Sequence, residues 1–205
     1  ERVVAAVVTL RDFACDNPAT STNAKTKAAT TATTATTAPA KIYDVDDSIR
    51  VGIIGGMGPD ATVAFYQNVL DKTRERAGAS LDQHHILASI DINARVPDRQ
   101  LAIMDGTKLD VCSTALRGSG QRMRAAGAQF AVCVCNTAHF WEPEMKEGLA
   151  DVPFLSIIDL TADRIAQHVR TTGETGTVGI LAASGCVAGG LYQRALAHRQ
   201  IPYYA

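Results

Sequence analysis

No two cysteines in this chain stand at CxxC spacing; the five are odd in number and irregularly placed. That argues against a disulfide framework, fits a reducing compartment, and makes the cytoplasm the expected location. Cys133 and Cys135 form a CxC, but neither a second cysteine pair nor a histidine cluster at ligand spacing accompanies them, so no metal is expected. Charge of one sign is missing as well. Twenty basic residues stand against 21 acidic ones, which gives no footing for a nucleic-acid groove or an anionic membrane surface. Long hydrophobic runs are lacking too: no segment approaches the roughly 20 apolar residues of a membrane span. Neither nucleic acid nor membrane is therefore an expected partner.

Residues 18–41 contain no acidic and no large apolar side chain; they are almost all Ala, Thr and Ser, with Lys25, Lys27 and Lys41. Nothing there can anchor a core, and we read a disordered tether within a low-complexity segment, residues 1–48. Residues 3–10 read equally as a strand or as the remnant of an apolar leader, too short and poorly flanked for a signal peptide. The chain opens on Glu1 rather than Met, and this is not expected to be a native start.

What is present begins after Asp47, where apolar runs alternate with helical patterns. Strands are expected at 50–54, 85–91, 130–134, 152–158 and 176–181, and helices at 59–76, 108–127, 140–149, 162–170 and 187–199. Gly118 and Gly120 weaken the second helix by about 1 kcal/mol each relative to alanine. Strand and helix alternating five times imply crossover connections, hence an α/β fold with a parallel sheet and flanking helices. Residues 201–204 read as the start of a sixth strand, so the chain is expected to be part, or a shortened relative, of something longer.

Ligands in such sheets bind at the carboxyl ends of strands. After the first strand, Gly56, Gly58 and Ala61 match GxGxxA. No acidic residue follows at about 20 positions and Pro59 removes an amide, so a small anion such as a carboxylate suits this turn better than a dinucleotide. After the second strand, Arg95 and Arg99 offer forked donors for a carboxylate. After the third comes Cys135, in the run Cys135-Asn136-Thr137-Ala138-His139. Asn136 and Thr137 can cap a helix start, and a thiol beside such a terminus favours its thiolate. Cys133, deeper in the strand, reads as a small apolar residue.

Four segments in this order give the chain a family resemblance: Gly52-Ile53-Ile54-Gly55-Gly56-Met57-Gly58-Pro59, Val96-Pro97-Asp98-Arg99, Cys135-Asn136-Thr137-Ala138-His139, and Gly179-Ile180-Leu181-Ala182 with Gly190-Leu191-Tyr192. Residues 50–205 resemble the cofactor-independent aspartate/glutamate racemases, nearest their aspartate racemase branch. The resemblance implies two α/β lobes with the substrate between them: a first lobe over 49–174 and the beginning of an incomplete second over 175–205. It also implies no cofactor, an acidic amino acid as substrate, and a homodimer. Cys135 would be the catalytic base at Cα. Asn136 and Thr137 would hold one substrate carboxylate and Arg99 the other, with Met57 and Gly58 shaping the wall.

The sequence departs from that family in the second lobe. No Gly-Cys-Thr-Glu-like motif carrying a second thiol occurs, and Ala183, Cys186 and Gly189 stand where hydroxyl residues are usual. As it stands, residues 1–205 are expected not to racemise, since one base cannot reprotonate Cα from the opposite face. The alternative is a catalytically dead relative that binds a small dicarboxylate or serves as a dimerising domain. Thiol hydrolase chemistry would require His139 as the partner base.

Overall fold

The computed structural model describes residues 3–5, 49–173 and 176–205. The disordered tether expected over residues 18–41 lies outside them. Of residues 3–10, Val3–Ala5 form a strand, β1.

The main sheet is parallel throughout, in the order β3-β2-β4-β5. Its central strand, β2 (Arg50–Gly55), is buried along five of its six residues, as a strand covered on both faces must be. β3 (Leu87–Ile92) pairs along one edge of β2, and β4 (Phe130–Cys133) along the other. β4 in turn pairs with β5, only Phe154–Leu155. On one face lie α3 (Leu109–Ala125) and α4 (Glu142–Leu149), enclosing Ile54, Leu116, Cys133, Trp141, Met145 and Leu149. On the other, α1 (Pro59–Ala77) covers Val51, Ile53, Val132 and Val134 through Ala61, Phe65 and Tyr66. Each fully buried Leu or Ile here contributes about 1.5–3 kcal/mol relative to exposure.

A second parallel sheet has the order β1-β6-β7, with β6 (Thr177–Gly179) and β7 (Tyr203–Tyr204). Its core is a separate cluster built from Ile158, Ala162 and Ala166 of α5 (Ile157–Thr172), Val178, and Leu191 and Leu196 of α7 (Leu191–His198).

Four local outcomes differ from the expected elements. The strand read over 152–158 yields only two residues of pairing, because Ser156 caps a helix: its hydroxyl accepts from the Asp159 amide, turning Ile157 and Ile158 into the first turn of α5. The stretch read as an arginine loop contains α2 (Arg99–Asp105), whose start is fixed by the Asp98 carboxylate accepting from the amides of Gln100 at 2.8 Å and Leu101 at 3.1 Å. The helix read over 187–199 is two, α6 (Ser184–Ala188) and α7, divided at Gly189-Gly190 where Gly190 takes φ 63°. Finally, Gly120 has a packing role: a Cβ there would lie 2.5 Å from the Met145 carbonyl oxygen, and one on Gly148 would strike that of Arg117. α3 and α4 approach so closely that only glycine fits at both points.

Candidate active site

A cavity of about 300 Å³ opens between the carboxyl end of the main sheet and the segment after β6. One wall comes from Met57, Ala61 and the run Val134 to Thr137; the other from α5, residues 180–183, Cys186 and Tyr192. None of its lining side chains is charged.

The thiol is placed by the sheet. Val134 lies one residue beyond β4, yet its amide still donates to the Ile54 carbonyl at 2.9 Å. Cys135 is thus the first residue free of the ladder, half-buried at the strand's carboxyl end. The next turn is tight and 3₁₀, Thr137–Trp141, and α4 follows at Glu142. Asn136 does not cap that turn, contrary to expectation: it already sits at helical angles and makes no side-chain capping bond. Its Oδ1 instead accepts from the Tyr192 hydroxyl at 2.7 Å, a bond that crosses the cavity between the two walls. With Oδ1 engaged, the two N–H groups of the amide remain for other partners. Burial pushes the Tyr192 phenol up to about 12, so it stays a donor throughout the ordinary pH range.

Of the site residues expected from sequence, Met57, Cys135, Asn136 and Thr137 line the cavity, while Gly58 and Arg99 do not. The Arg99 guanidinium donates to the backbone carbonyls of Val96 at 3.3 Å, Pro97 at 3.1 Å and Met57 at 3.0 Å, and its buried Nε has no partner. The expected anion-binding glycine turn is also partly occupied. The Gly56 amide donates to the Thr62 hydroxyl at 2.9 Å, and that hydroxyl donates to Gly58 at 3.3 Å, stapling the turn to α1.

Three chemically active side chains on the lining stand outside the residues expected to bind or act on substrate. Tyr192 lay in a recognised segment, but its bond to a residue 56 positions away has no local signal. Thr161 is buried on α5 with its hydroxyl donating to the Ile157 carbonyl at 2.7 Å; since a later strand end was expected, the helix register that turns it inward was not evident. Cys186, 1% exposed, faces the same cavity as Cys135. Burial, then the proximity of Cys135, raises its thiol to about 11. Cys133 is fully buried, with its thiol pushed well up by desolvation.

His139 cannot serve as a hydrolase base toward Cys135. Its Nδ1 lies 2.8 Å from the Cys135 carbonyl oxygen and its Nε2 accepts from the Ile157 amide at 3.3 Å, so both ring nitrogens are committed to backbone. Among the described residues no group of three His, Cys, Asp or Glu side chains could hold a metal ion, and no helix is long and apolar enough to cross a membrane.

This arrangement, a thiol and an amide at the end of a parallel strand facing a charge-free cavity, has counterparts. Residues 54–203 match the model of the family described as Asp/Glu/hydantoin racemase. Among curated proteins, the broad specificity amino-acid racemase RacX of Bacillus subtilis is 28% identical over 129 residues, 62% of this chain and 54% of that protein. The glutamate racemase of Corynebacterium kroppenstedtii is 34% identical over 74 residues, covering 36% and 24%. Among solved structures, the aspartate racemase of Picrophilus torridus superposes with TM-score 0.62 at 29% identity over 76% of this chain and 61% of that one. An aspartate racemase homologue from Pyrococcus horikoshii gives 0.57 at 19%, over 76% and 63%, a likeness of fold. The chain thus spans only about half of the Bacillus protein and about three-fifths of the Picrophilus chain. With the match to the family model running through both sheets and the thiol loop between them, the chain belongs to the Asp/Glu/hydantoin racemase family.

Proposed function

We propose that this chain contributes to racemisation of an acidic amino acid, aspartate in the first instance, by proton transfer at Cα without a cofactor. The observation that carries this is Cys135: a half-buried thiol at a strand's carboxyl end, on a cavity with no charged lining, whose nearby histidine is turned away to backbone. A thiolate there removes the Cα proton. Because Cα–H is a very weak acid beside a carboxylate, fixed donors must stabilise the charge that develops on that carboxylate. The free N–H groups of Asn136 and the hydroxyl of Thr137 take that role. In this reading Arg99, which stands outside the cavity lining, takes the distal carboxylate by giving up its bond to the carbonyl of Met57, the residue that forms the adjoining wall just before Gly58. Aspartate is preferred because the Picrophilus relative, 29% identical, is an aspartate racemase.

Within residues 1–205 no Gly-Cys-Thr-Glu-like segment supplies the opposing thiol, so this stretch by itself exchanges Cα–H without completing inversion. The free thiols of Cys112, Cys133, Cys135 and Cys186 support a cytoplasmic location. The exposed apolar side chains Leu101, Met104 and Val111 of α2 and α3 support a homodimer. The test of function is deuterium incorporation from D₂O at Cα of L- and D-aspartate, with the chain as given and with Cys135→Ser. Exchange that disappears in the variant supports the reading. Absence of exchange in folded protein favours a relative that binds a dicarboxylate without turning it over.

A further inference from the structure

We propose that His139 is the positioning residue for Cys135: held as the neutral Nδ1–H tautomer, it clamps the carbonyl of the thiol's own residue to the first amide of α5, and so fixes the cavity's two walls relative to each other. The inference rests on the reading above only in taking Cys135 as the acting thiol.

The tautomer follows from the bonds. A backbone amide can only donate, so the ring nitrogen facing the Ile157 N–H, Nε2 at 3.3 Å, must be bare. The ring proton therefore sits on Nδ1 and is donated to the Cys135 carbonyl oxygen at 2.8 Å. Only this form of imidazole satisfies both contacts. The ring is 4% exposed, packed beside Phe154 with centroids 5.6 Å apart, so neither bond can be replaced by bulk water.

The two partners belong to different parts of the molecule. The Cys135 carbonyl is continuous with the main sheet. The Ile157 amide is one of the orphan donors at the start of α5, and α5 packs by Ile158, Ala162 and Ala166 into the core of the second sheet. The same helix presents Ile157, Thr161 and Ile165 to the cavity. A single imidazole thus ties the thiol's backbone to the helix opposite it.

A second ring proton would break the tie, since Nε2–H would then face Ile157 N–H, donor against donor. Burial opposes that proton and holds the ring below the ordinary imidazole value. The charged groups around it act less strongly. Glu142 of α4 and Asp159 of α5 favour protonation; Lys146 of α4, Arg194 and His198 of α7, and Arg199 just beyond it line one groove with them and the ring.

Two measurements on the intact chain test this, and neither needs turnover. Long-range ¹⁵N–¹H correlation NMR on wild-type protein is expected to show His139 as the Nδ1–H tautomer; an Nε2–H ring overturns the proposal. The second is alkylation of Cys135 by iodoacetamide at pH 8, followed by peptide mass spectrometry with buried Cys112 as reference. His139→Phe keeps a ring and removes both nitrogens, and should change the Cys135 rate about tenfold, the factor one buried hydrogen bond carries. His139→Gln, whose amide can accept from Ile157, should return it to within about threefold of wild type. An unchanged rate in folded His139→Phe, or a Gln variant no nearer wild type than Phe, overturns the clamp. Should His139→Phe not fold, the tautomer and the Gln variant decide. Loss of deuterium exchange while both readouts hold would count against the racemase reading alone.

Discussion

The two walls of the cavity each carry a cysteine, and the contrast between them is instructive. Cys135 stands on a loop suspended from β4, which pairs with the buried central strand β2; it is half-buried, with its carbonyl bonded and its neighbour Asn136 pinned by a phenol. Cys186 sits in a five-residue helix ended by Gly189-Gly190, 1% exposed, with its proton secured by burial up to about pH 11. One wall leaves its thiol half-exposed to a ligand; the other buries its thiol almost completely behind the cavity surface. Reactivity follows from the surroundings of the sulfur rather than from the residue type.

The sharpest way to break this comparison is to delete the thiols in turn. Cys135→Ser should lower Cα deuterium exchange by roughly 10²–10⁴-fold, the range of a lost general base, whereas Cys186→Ser should change it by less than about threefold, as a buried site outside the chemistry would. Equal losses would show that both walls act. Next in size is the cross-cavity bond. Tyr192→Phe frees Oδ1 of Asn136, and aspartate binding measured by calorimetry should weaken by up to about tenfold, the upper worth of one hydrogen bond, while Cys135 alkylation stays at the wild-type rate. The two thiols can also be compared directly: at pH 8, Cys186 should react with iodoacetamide at least about tenfold more slowly than Cys135, because at that pH it is protonated as well as buried.

The smallest effect is on stability against pH. His139 is held below the ordinary imidazole value in the folded chain by burial, so the unfolded state binds the proton more readily. The sign is then fixed: its stabilising contribution is fully present above about pH 6.5 and is lost as pH falls through the lower folded value. Urea midpoints taken from pH 8 to pH 5 should fall in wild type and fall less in His139→Phe.

Segments of the molecule also differed in how far their sequences could be read. The two central strands of the main sheet, β2 and β4, were legible because they are apolar runs ended by a glycine or polar turn, and because Cys135 follows such a run at once. Other stretches were harder for identifiable reasons. The apolar run 152–158 was read as a strand, yet the Ser156 cap converts its last two residues to helix, and periodicity cannot separate the two in so short a stretch. The start of α2 at Arg99 is signalled by its cap, Asp98, a residue type equally at home in the loop expected around the arginines. Of the candidate site, the thiol, the amide and the hydroxyl were evident as one contiguous run. The forked donors of Arg99 were legible, but the three backbone carbonyls they meet leave no mark in the sequence. The Tyr192–Asn136 bond depends on how the lobes meet and was equally invisible.

The glycine contact between α3 and α4 has a consequence at some distance from itself. α4 follows the thiol turn without an intervening loop, so whatever sets the depth of α4 against α3 also sets how that turn is drawn toward the sheet. Gly120 and Gly148 line no part of the cavity, and each lies where a single added methyl group would meet backbone. In a random library selected for function, inactivating replacements should therefore gather at these two positions as densely as around Cys135, and a map of such replacements would show a second hot area on the far side of the sheet with no ligand anywhere near it.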